Sequence, residues 1–118
     1  MASISFYNNA TKDILDGTID LDSDTIKVSL HASTYTPAVT HDFFNDVTNE
    51  VTGSNYTAGG ATLGSTAVTT VTVNDAMYDA ADTTWSAHAS GFSTARYAVI
   101  YKSTGTASTS PLIGYIDF

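Results

Sequence analysis

A chain of 118 residues with 42% hydrophobic side chains is one domain's worth of sequence. At that length a compact fold removes roughly two-thirds of the unfolded surface from water, so a core can hold without staples. Twelve acidic side chains stand against four cations, Lys12, Lys27, Arg96 and Lys102, for a formal charge of -8, and there is no cysteine. These numbers argue against disulfide and thiolate chemistry, against direct nucleic-acid binding, which needs several cations to displace counterions, and against an anionic membrane surface. Twenty Thr, 13 Ser and 15 Ala beside a single Glu favour strands over a helical bundle. No apolar run approaches the roughly 20 residues of a membrane span. Met1-Ala2-Ser3-Ile4-Ser5 has neither a basic segment nor an apolar stretch, so the chain is expected to be made and kept in a cytoplasm until assembly.

In chain order, Phe6, Ala10, Ile14 and Leu15 recur at helical spacing and predict a short helix over Phe6 to Asp16, with Asn8 or Asn9 at its start and Gly17 as a left-handed end. Thr25 to Ser33 alternates Ile26, Val28, Leu30 and Ala32 with Lys27, Ser29, His31 and Ser33, the pattern of a strand with one wet face. Thr40 to Val47 predicts a capped helical turn that drops Phe43 and Phe44 onto the core. Glu50 to Thr52 reads as a short strand, Gly53-Ser54-Asn55 as a turn, and Ala58-Gly59-Gly60 as a bulge or sharp bend. Val68, Val71 and Val73 mark a strand ending in a hairpin turn at Asn74-Asp75, with Ala76 to Ala80 running back. Asp82 to Ser86 reads as a strand carrying Trp85, and Ala87 to Thr94 as an exposed loop with an isolated Phe92. Arg96 to Lys102 places Tyr97, Val99 and Tyr101 on one face and Ala98 and Ile100 on the other, which predicts a central strand. Ser103 to Ser110 is a polar turn region before Pro111, and Leu112 to Phe118 is a final strand. Six to eight short strands with Gly, Asn and Asp turns predict a single all-β domain, a β-sandwich or jelly roll with a short N-terminal helix.

Candidate chemistry is sparse. Asp16, Asp20, Asp22 and Asp24 cluster in sequence, and the three carboxylates at alternate positions, Asp20, Asp22 and Asp24, would share one face of an extended segment, where a hard cation could sit. The calcium-loop template fails, because Thr25 stands where Gly is needed and His31 where the final Glu is needed. The segment therefore reads as a solvated acidic turn that caps a strand start. His31, His41 and His88 form no pair at ligand spacing and read as surface histidines. There is no Gly-x-Ser-x-Gly elbow and no Ser-x-x-Lys, the single Glu50 has Asp46 near it in sequence only, and Gly59, Gly60 and Gly64 do not open a helix. Neither an enzyme nor a cofactor site is expected. The remaining asset is aromatic: Tyr97, Tyr101 and Tyr115 read either as core or as a protein contact surface.

Five stretches together resemble a family of small virion structural proteins of tailed bacteriophages. They are Asp16-Gly17-Thr18-Ile19-Asp20-Leu21-Asp22-Ser23-Asp24-Thr25-Ile26-Lys27-Val28, Tyr56-Thr57-Ala58-Gly59-Gly60, Asp79-Ala80-Ala81-Asp82-Thr83-Thr84-Trp85, Ala95 to Lys102 and Pro111 to Phe118. The resemblance covers most of the chain and implies a virion structural role, most specifically a capsid decoration or cement protein that binds the major capsid protein, with a tail, neck or head-fibre component as the alternative. Similar proteins run on past the Asp117-Phe118 pair into a further strand, so an apolar terminal strand is expected to leave an unpaired edge for a neighbouring copy or the capsid to cover. On that view the chain forms a homo-oligomer, a trimer on a shell with three-fold positions, and Tyr97, Tyr101, Tyr115 and Phe118 are the candidate buried contacts. A reading from a different class is a host-surface adhesion module that binds glycan through exposed Tyr, Trp85 and the Ala87 to Thr94 loop.

Overall fold

The computed structural model of the chain describes residues 3–86, 88–92 and 94–118. Among them seven strands form: β1 (Ser3–Phe6), β2 (Ile26–His31), β3 (Ala61–Thr62), β4 (Ala67–Thr69), β5 (Met77–Asp79), β6 (Tyr97–Lys102) and β7 (Leu112–Asp117). One α-helix, α1 (Asn8–Leu15), follows β1, and single 3-10 turns lie at Phe44–Asp46 and Ala107–Thr109. This is the all-β domain with a short N-terminal helix that the alternation predicts. Five strands make an antiparallel sheet in the order β1-β7-β6-β2-β3, and β4 and β5 make a separate hairpin.

Directly opposed residues of an antiparallel ladder share a face, so the β2–β6 register, from Ile26 opposite Lys102 to His31 opposite Tyr97, sorts the side chains. One face carries Tyr97, Val99 and Tyr101 with Ser29, His31, Leu112 and Tyr115. Tyr7, Tyr35, Phe44 and Val47 pack over it. The other face carries Ile26, Val28, Leu30, Ala98, Ile100 and Ile116, with Ile4 and Phe6 continuing it onto β1. Over this aliphatic face lie Val51, Tyr56, Leu63, Trp85 and Phe92 toward one end and Ile19, Leu21 and Tyr78 toward the other. Burying a side chain such as Val99 or Leu112 contributes on the order of 1.5–3 kcal/mol, and both are fully enclosed.

Two glycines fix the approach of β3. Gly59 and Gly60 both adopt positive φ, and a Cβ on Gly60 would collide with the Val28 carbonyl. Only glycine lets the chain turn there and lie this close to β2.

Several expectations are corrected. Phe6 closes β1 instead of opening the helix, which starts at Asn8 after Tyr7 with no side-chain cap. The face of β2 expected to be wet is dry over Ser29 and His31, which are both fully buried because the loop carrying Tyr35 and Phe44 folds across them, and only Lys27 stays partly exposed. Glu50 to Thr52 contributes a single bridge, Glu50 to His31, and no strand forms over Asp82 to Ser86. Phe92 is not isolated, since it bridges to Gly53 and its ring lies 5.7 Å from that of Tyr56. The Ala87 and Ser93 positions of the expected loop lie outside the described residues. Finally, β7 is an interior strand, because β1 pairs along it from Ser3 opposite Asp117 to Phe6 opposite Gly114. The open edges of the sheet belong to β1 and β3.

Candidate contact surface

The four residues expected to make contacts separate sharply in the structure. Tyr101 is 3% exposed, its ring stacks on Phe44 with centroids 4.0 Å apart, and its hydroxyl donates to the Gly59 carbonyl at 2.7 Å. Burial first and the nearby Glu50 carboxylate second push its phenol up to about 12. Tyr97 is half-buried edge-on to Tyr35 and Tyr115, at 5.8 and 6.4 Å, with the Arg96 guanidinium 5.3 Å from its ring centre. Tyr115 lies 5.5 Å from Tyr7. These three rings are engaged within the chain. Phe118 is different, with 63% of its surface exposed at the end of β7.

The histidines are equally distinct. His31 is a buried ring between Tyr35 and Phe44, not the surface group its strand position predicts. His41 sits 3.2 Å from the Tyr35 hydroxyl, and exposed His88 accepts from the Ser90 amide. Glu50 is bound by two donors, the Tyr56 hydroxyl at 2.6 Å and the Gly59 amide at 2.7 Å, while the Leu30 amide donates to the Tyr56 oxygen at 2.9 Å. That chain ties the residue 50 to 59 loop to β2. Trp85 stacks on Tyr56 at 6.1 Å, so this part of the expected glycan platform is half-buried against the core.

The aspartates act as turn caps. Asp16 accepts from the Thr18 amide, Asp20 from the Asp22 amide, and Asp24 from the Asp20 amide while pairing with Lys102 at 3.0 Å. Hydrogen bonds from Ser23, and then from the Asp22 amide, hold the Asp20 carboxyl below its usual range. Among the described residues no three His, Cys, Asp or Glu side chains gather as a metal-binding group.

What remains uncovered is apolar. A groove of about 310 Å³ on the aliphatic sheet face runs past Val28, Leu30, Trp85, Ala98, Ile116 and Phe118. A second recess of about 290 Å³ is lined by Ile4, Phe6, Ile14, Leu21, Tyr78 and Ile113. Leu63 and Ile100 line both, so the two adjoin. The β1 edge beside them exposes Ile4 and 57% of Phe6. Sequence reasoning missed this edge although Ser3-Ile4-Ser5-Phe6 alternates with period two, because Phe6 also fits the helical spacing of the residues that follow. A third surface is the β4–β5 tip, where Asp75 accepts from the Val71 and Thr72 amides and the Thr72 hydroxyl and thereby fixes a loop that leaves Val73 88% exposed.

No helix among the described residues is long and apolar enough to cross a membrane. Comparison with family models, with curated proteins and with solved structures found no match.

Proposed function

We propose that this chain is a virion structural protein of a tailed phage, working by contact and not by catalysis, and in its most specific form a decoration protein on the head shell. The observation that carries the reading is the pair of adjoining apolar recesses, one beside Ile4 and Phe6 on the open β1 edge and one reaching Phe118 at the end of β7. Strand edges with exposed apolar side chains invite pairing unless something covers them. A rigid antiparallel sheet with both termini of the sheet at one corner suits a module whose work is to be seated on a larger surface. The resemblance of the five sequence stretches supplies the setting, with the major capsid protein as partner and a homo-oligomer, a trimer at three-fold positions, as the seated form. Gold-labelled antibody on purified virions tests it. Label over the head is the expected result; label along the tail or neck moves the protein there, and virions without label remove the virion reading altogether.

A further inference from the structure

A recess of about 460 Å³ lies between the loop leading into β2 and strand β4, with Ile14, Ile19, Leu21 and Val68 as its apolar walls and the carboxylates of Asp20 and Asp22 at its lining. The Val68 amide donates to Asp22 Oδ1 at 3.2 Å, which ties the two walls together. The cations nearest in the fold are already held, Lys12 by Asp16 at 2.8 Å and Lys102 by Asp24 at 3.0 Å. Lys102 acts on Asp20 only at a distance, and neither Asp20 nor Asp22 has an ion-pair partner among the described residues. We propose that this recess docks a lysine- or arginine-bearing amphipathic segment of a partner protein, its apolar side chains against Leu21 and Val68 and its cationic heads at Asp20 and Asp22.

Charge selects this occupant. Long cationic side chains lay their aliphatic stems on apolar surface while the head reaches a carboxylate, and a field of net charge -8 steers such a segment inward. A second copy of this chain is a poor donor of it: of its four cations three are in ion pairs among the described residues, with Lys27 left over. For where the partner sits, and only for that, we rest on the virion reading above.

The test uses the purified chain and a synthetic twelve-residue peptide of lysine and leucine, titrated while amide resonances are followed by NMR. Shifts confined to residues 14–22 and 67–69 are expected, with no binding when glutamate replaces lysine in the peptide. Asp20→Asn with Asp22→Asn keeps the oxygens that accept the turn and Val68 hydrogen bonds and removes both charges, so the fold is retained and affinity falls about tenfold at low salt, the difference shrinking as salt screens it. Val68→Thr, which keeps shape and loses one methyl, weakens binding about threefold. Shifts spread evenly over Asp42, Glu50, Asp79 and Asp117, or a double variant that binds like the parent chain, overturn the proposal. Either result stands apart from virion labelling, because no virion enters the experiment.

Discussion

The hydroxyl of Ser29 and the imidazole Nε2 of His31 face each other at 2.8 Å across one pleat of β2, inside the tyrosine-lined face of the sheet. The partner of Nδ1 is the Thr48 carbonyl at 2.9 Å, which can only accept. Nδ1 therefore carries the proton, and Nε2 of the neutral ring accepts a hydrogen bond from the Ser29 hydroxyl. Burial pushes the ring below its ordinary value of 6.5, against the opposing pull of the Thr48 carbonyl and Glu50. A base whose folded value is depressed binds fewer protons folded than unfolded, so its contribution is complete above 6.5 and is lost as pH falls below it. Urea unfolding at pH 7.5 and at 5.5 should show the lower stability at 5.5. His31→Gln should flatten that dependence; an unchanged slope would assign it elsewhere.

Gly60 and Gly105 separate two costs of adding a methyl group. Both have positive φ, but a Cβ at Gly105 meets nothing within 4 Å, whereas one at Gly60 runs into the Val28 carbonyl. Gly105→Ala should cost about 1 kcal/mol of backbone strain alone, and Gly60→Ala about 3 kcal/mol or more because β3 must leave β2. Denaturation midpoints check both, and equal losses would show that the close approach is not rigid.

Tyr56→Phe removes one donor to Glu50 and the acceptor of the Leu30 amide in a partly buried site. A loss of about 2 kcal/mol is expected from the groups left unpaired. Tyr78 makes the opposite case. Its hydroxyl is buried with no hydrogen-bond partner, and burial raises its phenol. Tyr78→Phe should leave stability unchanged or raise it by up to about 1 kcal/mol, read as a higher melting temperature.

The strongly periodic segments were legible in the sequence because a period of two needs no partner to be seen. Thr25 to Ser33 and Arg96 to Lys102 form β2 and β6 with the faces their alternation gives. The Gly59-Gly60 bend also appears, with positive φ, and a β4–β5 hairpin forms with Asn74 at positive φ, but β4 ends at Thr69 and leaves Val71 and Val73, expected in the strand, in the connecting loop. What failed depended on what lies across the gap. Lys27, Ser29 and His31 look like a wet face, and only the return of Tyr35 and Phe44 buries Ser29 and His31 while Lys27 stays partly exposed. Tyr101 and Phe118 carry the same aromatic signal, yet one is stacked on Phe44 and the other projects at a corner. Position along a strand does not tell which residues later loops will cover.

That difference yields a paired substitution. Phe118→Asp should change the melting temperature little, since exposed positions usually shift stability by about 0.5 kcal/mol or less, while lowering occupancy on virions if the corner is a contact. Tyr115→Asp places a charge among Tyr7, Tyr97 and Val99 and should unfold the domain. Calorimetry on both, with quantitative protein content of virions carrying Phe118→Asp, separates a fold residue from a contact residue.

Because β1 joins the sheet through β7, Ser3 finds its place opposite Asp117 only after nearly every residue between them has been synthesised. The β1–β7 seam is thus a very long-range contact, the kind that makes antiparallel domains fold in milliseconds to seconds. A nascent chain must carry Ile4 and Phe6 without their strand partner until Leu112–Asp117 has been made, so this sheet closes only once its last strand has emerged.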